Sequence, residues 1–231
     1  MVDVRRFDEL GHLQTDWLDA HYHFSFANYV DAARMGQGKL RVWNDDTIQP
    51  GTGFPPHGHR SMEIITYVRE GAITHADSLG NEGRTVAGDV QVMSAGMGVR
   101  HLEWNHEPGL TRIFQLWIEP RQPGGAPRWG TRRFPKADRA GEWAVLASGL
   151  GDEGALEIDQ DARVLGATLQ PGQTLSYALS GDRVGYLVLA EGSVRVDGEV
   201  LNARDGAALA PKTAVVLEGI SPAEIVLVET V

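Results

Sequence analysis

The sequence predicts an all-β protein built from two β domains, and three observations support this prediction. Short apolar runs recur along the chain with single glycines between them, and 28 glycines and 11 prolines in 231 residues indicate many tight turns. Several runs alternate apolar and polar residues, which is the period of a strand with one buried face. A weak internal echo between residues 67–73 and 187–194 suggests a duplicated barrel.

The strands of the first half are predicted in chain order. An aromatic alternation over 17–29 indicates a covering strand, and 40–43 indicates the next strand, before a polar turn at 44–46. A dense run of turn formers at 50–56 precedes a strand predicted over 57–68. Further strands are predicted over 72–78, 84–86, 90–93, 99–104 and 112–119.

Periodicity is lost between residues 120 and 135, where prolines cannot donate a backbone hydrogen bond inside a sheet. We therefore expect a linker here, with an N-terminal domain over 1–130 and a C-terminal domain over 131–231. The strands of the second domain are predicted over 164–168, 186–190, 193–196, 207–209, 215–217 and 225–228.

The composition argues against several classes of protein. A formal net charge of -10 would repel a phosphate backbone, so we expect no direct nucleic-acid ligand. The chain has no cysteine, which excludes disulfides, zinc–thiolate sites and thiol catalysis. No apolar run approaches the length that spans a bilayer, and the first residues do not resemble a signal peptide. We expect a cytoplasmic protein without a membrane partner.

Two pairs of potential metal ligands lie on predicted strands, and they suggest the function. His57 and His59 form one pair, and His101 and Glu103 form the other. Residues two apart on a strand point to the same face, so each pair presents two ligands together. Three imidazoles and a carboxylate would bind one divalent ion and leave coordination positions open. All eight histidines lie in the first half, so the second domain cannot repeat this site.

Other polar residues compete for these roles. Glu63 has the same parity as His57 and His59 but lies about 13 Å further along the predicted strand, so it is expected near the ligands rather than on the metal. His21 and His23 form a rival His-x-His pair, for which a covering strand is the preferred interpretation. Three further residues are expected to have structural or surface roles: His75, Asn105 and His106.

The spacing of these residues resembles two cupin half-motifs. The first contains Gly51, His57, His59, Glu63 and Gly71, and the second contains Gly88, Gly96, His101 and Asn105. Together with the segments 17–19, 24–29, 62–64 and 88–96, they resemble the pirin family, especially its bacterial quercetinase-like members. The resemblance covers most of residues 4–134. One departure is Gly58, where pirin-like sequences usually have proline, so a less rigid first pair is expected.

The resemblance implies a bicupin of two antiparallel β-barrel (jelly-roll) domains packed together. It assigns His57, His59, His101 and Glu103 as the ligands of one metal in the first barrel. Iron(II) is the first choice by resemblance, and nitrogen and oxygen ligands also suit copper, manganese, nickel or zinc. The C-terminal cupin-like domain would carry no metal ligands.

The implied activity is that of quercetin 2,3-dioxygenase, in which O2 cleaves a flavonol and carbon monoxide is released. In this hypothesis the flavonol 3-hydroxyl gives its proton to Glu103, and Phe54 and Trp104 are candidates for an aromatic pocket. Three alternatives remain open. The protein could be a metal-binding regulator or redox sensor that acts through protein partners, another cupin enzyme such as an isomerase or hydrolase, or a fold with a vestigial site.

Overall fold

The computed structural model describes residues 2–231, and nearly all of its regular structure is β-strand. Short apolar runs bounded by glycine turns form these strands, as the sequence pattern predicts. The strands of the first half are β1 (Asp3–Arg5), β2 (Gly11–Gln14), β3 (Leu18–Tyr22), β4 (Leu40–Ile48), β5 (Thr52–His59), β6 (Glu63–Glu70), β7 (Ala72–Asp77), β8 (Glu82–Val86), β9 (Val90–Ser94), β10 (Val99–Asn105), β11 (Thr111–Ile118) and β12 (Arg128–Arg132).

The second half contributes ten more strands to the described chain. These are β13 (Ala144–Ser148), β14 (Leu156–Glu157), β15 (Ala162–Leu169), β16 (Thr174–Ala178), β17 (Val184–Glu191), β18 (Ser193–Val196), β19 (Glu199–Asn202), β20 (Gly206–Leu209), β21 (Ala214–Gly219) and β22 (Ala223–Thr230). Two single 3₁₀ turns occupy Phe7–Glu9 and Lys136–Arg139. No helix within residues 2–231 has the length and apolar character needed to cross a membrane.

Each half folds into a seven-stranded sheet facing a four-stranded sheet. The first half has the orders β12-β9-β6-β11-β4-β3-β2 and β5-β10-β7-β8, and the second has β1-β20-β17-β22-β15-β13-β14 and β16-β21-β18-β19. The inner strands correspond one to one, with β4, β6, β9 and β11 matching β15, β17, β20 and β22. This repeated jelly roll confirms the predicted all-β bicupin, with open sheets rather than closed barrels.

The two seven-stranded sheets pack face to face, and their shared core joins the domains. Trp43 of the first half contacts Phe114 of the same half and Tyr186 of the second, with ring centroids 5.5 and 5.7 Å from its own. Aliphatic side chains of both sheets fill the rest of this core. Burying so much apolar surface between the sheets stabilises one arrangement of the two domains.

Two edge strands differ from the predicted domain organisation, because one joins the sheet of the opposite half and the other lies within the expected linker. The strand β1, at the start of the chain, pairs with β20 of the second half. The strand β12 contains the position of the expected domain boundary and pairs with β9 of the first half. The linker prediction was therefore wrong for residues 128–132, because the prolines that prevent pairing end at Pro127.

The predicted strand over 57–68 is two strands in different sheets. Ser61, between β5 and β6, has φ +47°, and this left-handed residue turns the chain out of one sheet and into the other. The parity argument for Glu63 fails at this break. Glu63 begins β6 and faces the second domain with Ile65, while Ser94 Oγ donates a 2.6 Å hydrogen bond to its Oε2. Glu63 therefore orients no histidine of the candidate site.

Candidate metal centre

The first histidine pair lies on β5, an edge strand whose sequence determines its register. Pro55 and Pro56 lack amide donors, and an edge strand tolerates them because one side needs no pairing. The pairing of β5 with β10 shifts at this point, where Phe54 lies opposite Glu103 and His57 lies opposite His101. This register sets His57 directly across from His101, while His59 lies opposite Val99.

The second pair lies on β10, between β5 and β7 at the centre of the four-stranded sheet. Burial alternates along this strand, so His101 and Glu103 point inward with only 3% and 1% of their surface exposed. Arg100 points outward. The period-two reasoning from sequence therefore places both predicted residues on the inner face.

Three of the four predicted ligands converge. The ring centroids of His57, His59 and His101 lie 4.5–5.0 Å apart, and one ligand atom from each lies within 4.8 Å of the others. Glu103 belongs to a second group, with His101 and His75, whose ligand atoms are also within 4.8 Å of one another. His101 is common to both groups, so the structure brings Glu103 to the site through His101 rather than directly against the first pair.

His75 is a neighbour of the site that sequence reasoning missed. It is fully buried on β7, opposite Glu103 in the pairing of β7 with β10. Its Nδ1 lies 3.4 Å from Nδ1 of His101, its Nε2 lies 3.2 Å from a carboxylate oxygen of Asp77, and its ring stacks on Trp129. The available signal was that His75 and Asp77 share a face of β7, but no local pattern shows that β7 lies beside β10.

This chain of contacts selects a tautomer for His101. Since the Asp77 carboxylate can only accept, His75 Nε2 carries a hydrogen and donates to it. The other ring nitrogen, His75 Nδ1, is then an acceptor for the hydrogen on His101 Nδ1. His101 Nε2 then carries a free lone pair. That atom is buried and has no hydrogen-bond partner among the residues described. A metal ligand on a histidine is commonly prepared in this way by a partner on the other ring nitrogen.

The remaining imidazoles are also prepared as ligands. His57 Nδ1 donates to the Pro55 carbonyl oxygen at 2.8 Å, which leaves its Nε2 available. The His59 ring packs edge-on against Trp117, with centroids 4.9 Å apart. Burial, with the nearby His57, lowers the pKa of His59 to about 4, and burial with three neighbouring imidazoles lowers the pKa of His101 to about 2. Both rings are therefore neutral near pH 7, as metal binding requires.

Glu103 lies within a network of hydrogen-bond donors. Thr66 Oγ1 and Gln91 Nε2 donate to its Oε1 at 3.1 and 2.6 Å, and Gln115 Nε2 donates to its Oε2 at 2.6 Å. Burial raises the pKa of Glu103 because it disfavours the charged form. The carboxylate is thus held in position by three side chains from β6, β9 and β11.

The donor set and its orientation fit a metal ion. Neutral imidazoles with a carboxylate are the ligands of divalent transition metals, and the buried, unpartnered Nε2 of His101 is the kind of atom that a bound cation would satisfy. Fewer protein ligands than an octahedral ion accepts would leave positions for exogenous molecules. The cluster is therefore suited to a single metal ion.

The rival histidines do not join this centre. His23 is fully buried, and its Nδ1 bonds Tyr186 Oη across the domain interface at 2.9 Å. His21 instead lies with His12 and Asp19 on the β2–β3 hairpin. Arg204 Nη2 is 3.5 Å from His21 Nδ1, and its positive charge opposes a cation there. Asn105 closes the turn after β10 by accepting from Glu107 N, as expected, and His106 is exposed.

An aromatic cavity of about 300 Å³ opens beside the imidazoles. His57 and His59 form part of its wall with Tyr22, Phe26 and Trp117. Its volume is at the lower end of small-molecule pockets, which favours one compact aromatic ligand. Phe54 lines this cavity as anticipated, while Trp104 is absent from its wall and neighbours His106.

Comparison with known families decides the relationship. The Pirin family model matches residues 3–118, and a second model described as the quercetinase C-terminal cupin domain matches residues 145–230. The chain belongs to the pirin family. A pirin-like protein of Caulobacter vibrioides is 60% identical over 99% of both chains, so this pirin aligns with that relative over nearly its whole length.

Two further comparisons bear on function, one with a relative named for an enzymatic activity and one with a relative solved in complex with a metal ion. A quercetin 2,3-dioxygenase of Escherichia coli K12 is 37% identical, over 98% of this pirin and 97% of the relative. The crystal structure of bacterial pirin YhhW from Escherichia coli in complex with nickel(II) superposes with a TM-score of 0.92 at 35% identity, covering 100% of this chain and 99% of that one. The bicupin prediction is confirmed by this match.

Proposed function

We propose that this pirin is a metal-dependent dioxygenase that cleaves flavonols of the quercetin type. The observation that most supports this proposal is the convergence of three imidazoles, including the unpartnered Nε2 of His101, beside an aromatic cavity. A relative named quercetin 2,3-dioxygenase that aligns over nearly the whole chain adds support. The substrates are then one flavonol and one O2, and the products are a ring-opened ester and carbon monoxide.

The proposed ligand set is His57, His59, His101 and Glu103, holding one divalent ion. Iron(II) is our first choice, and the nickel(II) complex of a relative keeps nickel among the alternatives with copper, manganese and zinc. When bound, such an ion supplies charge stabilisation and orientation for an ionised oxygen of the substrate.

The side chains of the protein would contribute three further effects. Glu103 accepts the proton of the flavonol 3-hydroxyl, and its raised pKa helps its carboxyl group to hold that proton. Gln91 and Gln115 keep the carboxylate in one orientation through their 2.6 Å hydrogen bonds. Aromatic side chains such as Phe26 and Trp117 pack against the flavonol rings and exclude water.

The test is an oxygen-dependent quercetinase assay on protein of known metal content. Wild type reconstituted with each candidate metal is followed for quercetin loss, O2 uptake and carbon monoxide release. We expect His59→Ala to lower turnover roughly 10²-fold or more, because it removes an imidazole ligand from the wall of the cavity. The exposed His106→Ala serves as the matched control and should retain wild-type turnover.

Different outcomes separate the alternatives. Stoichiometric metal without any oxygen-dependent quercetin loss would support a regulator that acts through protein partners, or a non-oxidative isomerase or hydrolase. Full activity in His59→Ala would show that the proposed ligand set is wrong. Loss of turnover in Glu103→Gln with the metal retained would support its role as proton acceptor.

A further inference from the structure

Two polar side chains in the wall of the aromatic cavity each carry an oxygen without a hydrogen-bond partner among residues 2–231. Asn44 and Asp46 lie on β4 and expose only 3% and 2% of their surface. Asn44 Oδ1 and Asp46 Oδ1 are buried without a hydrogen-bond partner within the described chain. Such atoms destabilise a fold, because they lose their bonds to water and gain none in exchange. A molecule bound in the cavity would be placed to supply the missing donors.

The position of these residues in the sheet explains why they face the cavity. The register sets Asn44 opposite Gln115 and Asp46 opposite Ile113, on the inner face of the first domain. Asp45, between them, points the other way and is fully buried in ion pairs with Arg69 and Arg204. Sequence reasoning assigned 44–46 to a turn, because three polar residues in a central strand oppose strand propensity. The strand instead continues to Ile48.

The other polar residues on this inner face form a closed network that leaves out Asn44 and Asp46. Thr66, Gln91 and Gln115 all donate to Glu103, and Gln115 Oε1 accepts from Trp117 Nε1. The two unpartnered oxygens thus remain as hydrogen-bond acceptors in a wall that is otherwise mainly aromatic and aliphatic. An acceptor pair within such a wall matches an aromatic ligand that carries hydroxyl groups.

We propose that Asn44 and Asp46 are the hydroxyl-recognition point of this cavity and select polyhydroxylated aromatic ligands over their less hydroxylated analogues. This proposal rests on the proposed function, from which it takes a flavonol-type phenol as the ligand. What is new is the assignment of Asn44 and Asp46 as the residues that discriminate between such phenols.

The electrostatic state of Asp46 is consistent with this role. Burial, with the negative charges of Asp45 and Glu103, raises the pKa of Asp46 well above its ordinary value. A neutral carboxyl group both donates and accepts a hydrogen bond, as does a phenolic hydroxyl. The two groups are therefore complementary in either direction of donation.

The experiment compares two ligands on metal-reconstituted protein without oxygen, so that binding is measured in the absence of turnover. Quercetin carries hydroxyl groups on several rings, and 3-hydroxyflavone keeps only the 3-hydroxyl. We expect wild type to bind quercetin about tenfold or more tightly than 3-hydroxyflavone, by quenching of tryptophan fluorescence. In Asn44→Leu/Asp46→Leu this preference should fall to about threefold or less, with the affinity for 3-hydroxyflavone retained.

Two controls keep the result interpretable. Thr47→Val removes a polar group next to Asp46 on β4 but outside the cavity wall, and it should keep the wild-type preference. Thermal unfolding of the ligand-free proteins tests folding. The leucine variants should be at least as stable as wild type, since they remove unpaired acceptors, whereas a purely structural role would make them less stable.

Equal wild-type affinity for the two ligands, or no binding of either, would overturn the proposal. So would an unchanged preference in the leucine variants. Failure of the proposed function is a separate result, because it appears as wild-type protein that binds quercetin anaerobically with the expected preference but does not consume it when oxygen is admitted.

Discussion

At the scale of single residues, the tautomer of His101 is set by His75 and Asp77 on the neighbouring strand. Replacing Asp77 with asparagine keeps an acceptor for the turn amides of Leu79 and Asn81 but offers an amide hydrogen to His75. The proton order then reverses, and a hydrogen occupies Nε2 of His101. We expect Asp77→Asn to lower metal affinity about 10–100-fold, measured by competition with a chelator.

A matched series checks this prediction. His75→Leu should also weaken metal binding, because it removes the partner of His101 Nδ1, while His106→Ala should have no effect. Nitrogen chemical shifts of the His101 ring would report the change of tautomer directly. Unchanged affinity in both Asp77→Asn and His75→Leu would contradict the proposed role of the chain of contacts.

His23 provides a pH-dependent prediction for the metal-free protein. Burial lowers the pKa of His23 to about 3, below the ordinary value of 6.5, so only the unfolded chain binds this proton between these values. The stability that it contributes is present above about pH 6.5 and is lost as the pH falls. Between about pH 7 and pH 5, wild type should lose about 2 kcal/mol more than His23→Asn in urea unfolding. Equal losses would show that His23 is not kept neutral.

Residue-level prediction from sequence succeeded where strand parity was sufficient. His101 and Glu103 share an inner face, and His57 and His59 meet His101 because the two pairs lie on adjacent strands. It failed for Glu63, because a single left-handed residue, Ser61, transfers the chain between sheets. It also missed His75, since its contact with His101 depends on which strands are neighbours.

At the scale of the element, β5 combines two glycines with opposite requirements. A Cβ at Gly53 would lie 2.2 Å from the Glu103 carbonyl oxygen, whereas a Cβ at Gly58 would meet nothing closer than 3.8 Å. The close approach of β5 to β10 therefore requires glycine at position 53, whereas position 58 has room for a side chain. The lower rigidity expected at Gly58 stays a prediction; the glycine does give the unfolded chain more freedom, which lowers the free energy of unfolding.

This difference gives a prediction with an internal control. Gly58→Ala should raise the free energy of unfolding by about 0.4–1 kcal/mol, because alanine restricts the unfolded chain. Gly53→Ala should lower the free energy of unfolding and weaken metal binding, since it pushes β5 away from the strand that carries His101 and Glu103. Chemical unfolding and metal titration measure both effects. A stable Gly53→Ala protein with normal metal affinity would refute the argument.

At the scale of the whole molecule, the duplication seen weakly in the sequence is an almost complete repeat of topology. The strands β16 and β21 occupy the positions of β5 and β10 but carry no histidine. Composition alone predicted that asymmetry. Sequence did not predict which face of each domain joins the other, because strands such as β6 and β11 carry buried apolar residues on both faces.

The interface also contains a buried charge cluster with a measurable role. Asp45 of the first domain pairs with Arg69 on β6 and with Arg204 from the second domain. Removing this carboxylate leaves the buried Arg69 without its partner. We expect Asp45→Ala to lower the free energy of unfolding by about 3–5 kcal/mol in urea. Glu70→Ala, which breaks an exposed pair with Arg112, should cost at most about 1 kcal/mol. Similar losses in both variants would contradict this assignment.

The pairing of β1 with β20 has a consequence for biosynthesis. The ribosome makes Asp3–Arg5 long before Gly206–Leu209, the strand that they join. The C-terminal sheet therefore gains its outermost member from a segment that must stay unpaired until β20 has been made. Any leader or tag fused ahead of residue 3 would act on the last stage of folding in the distant half of the molecule.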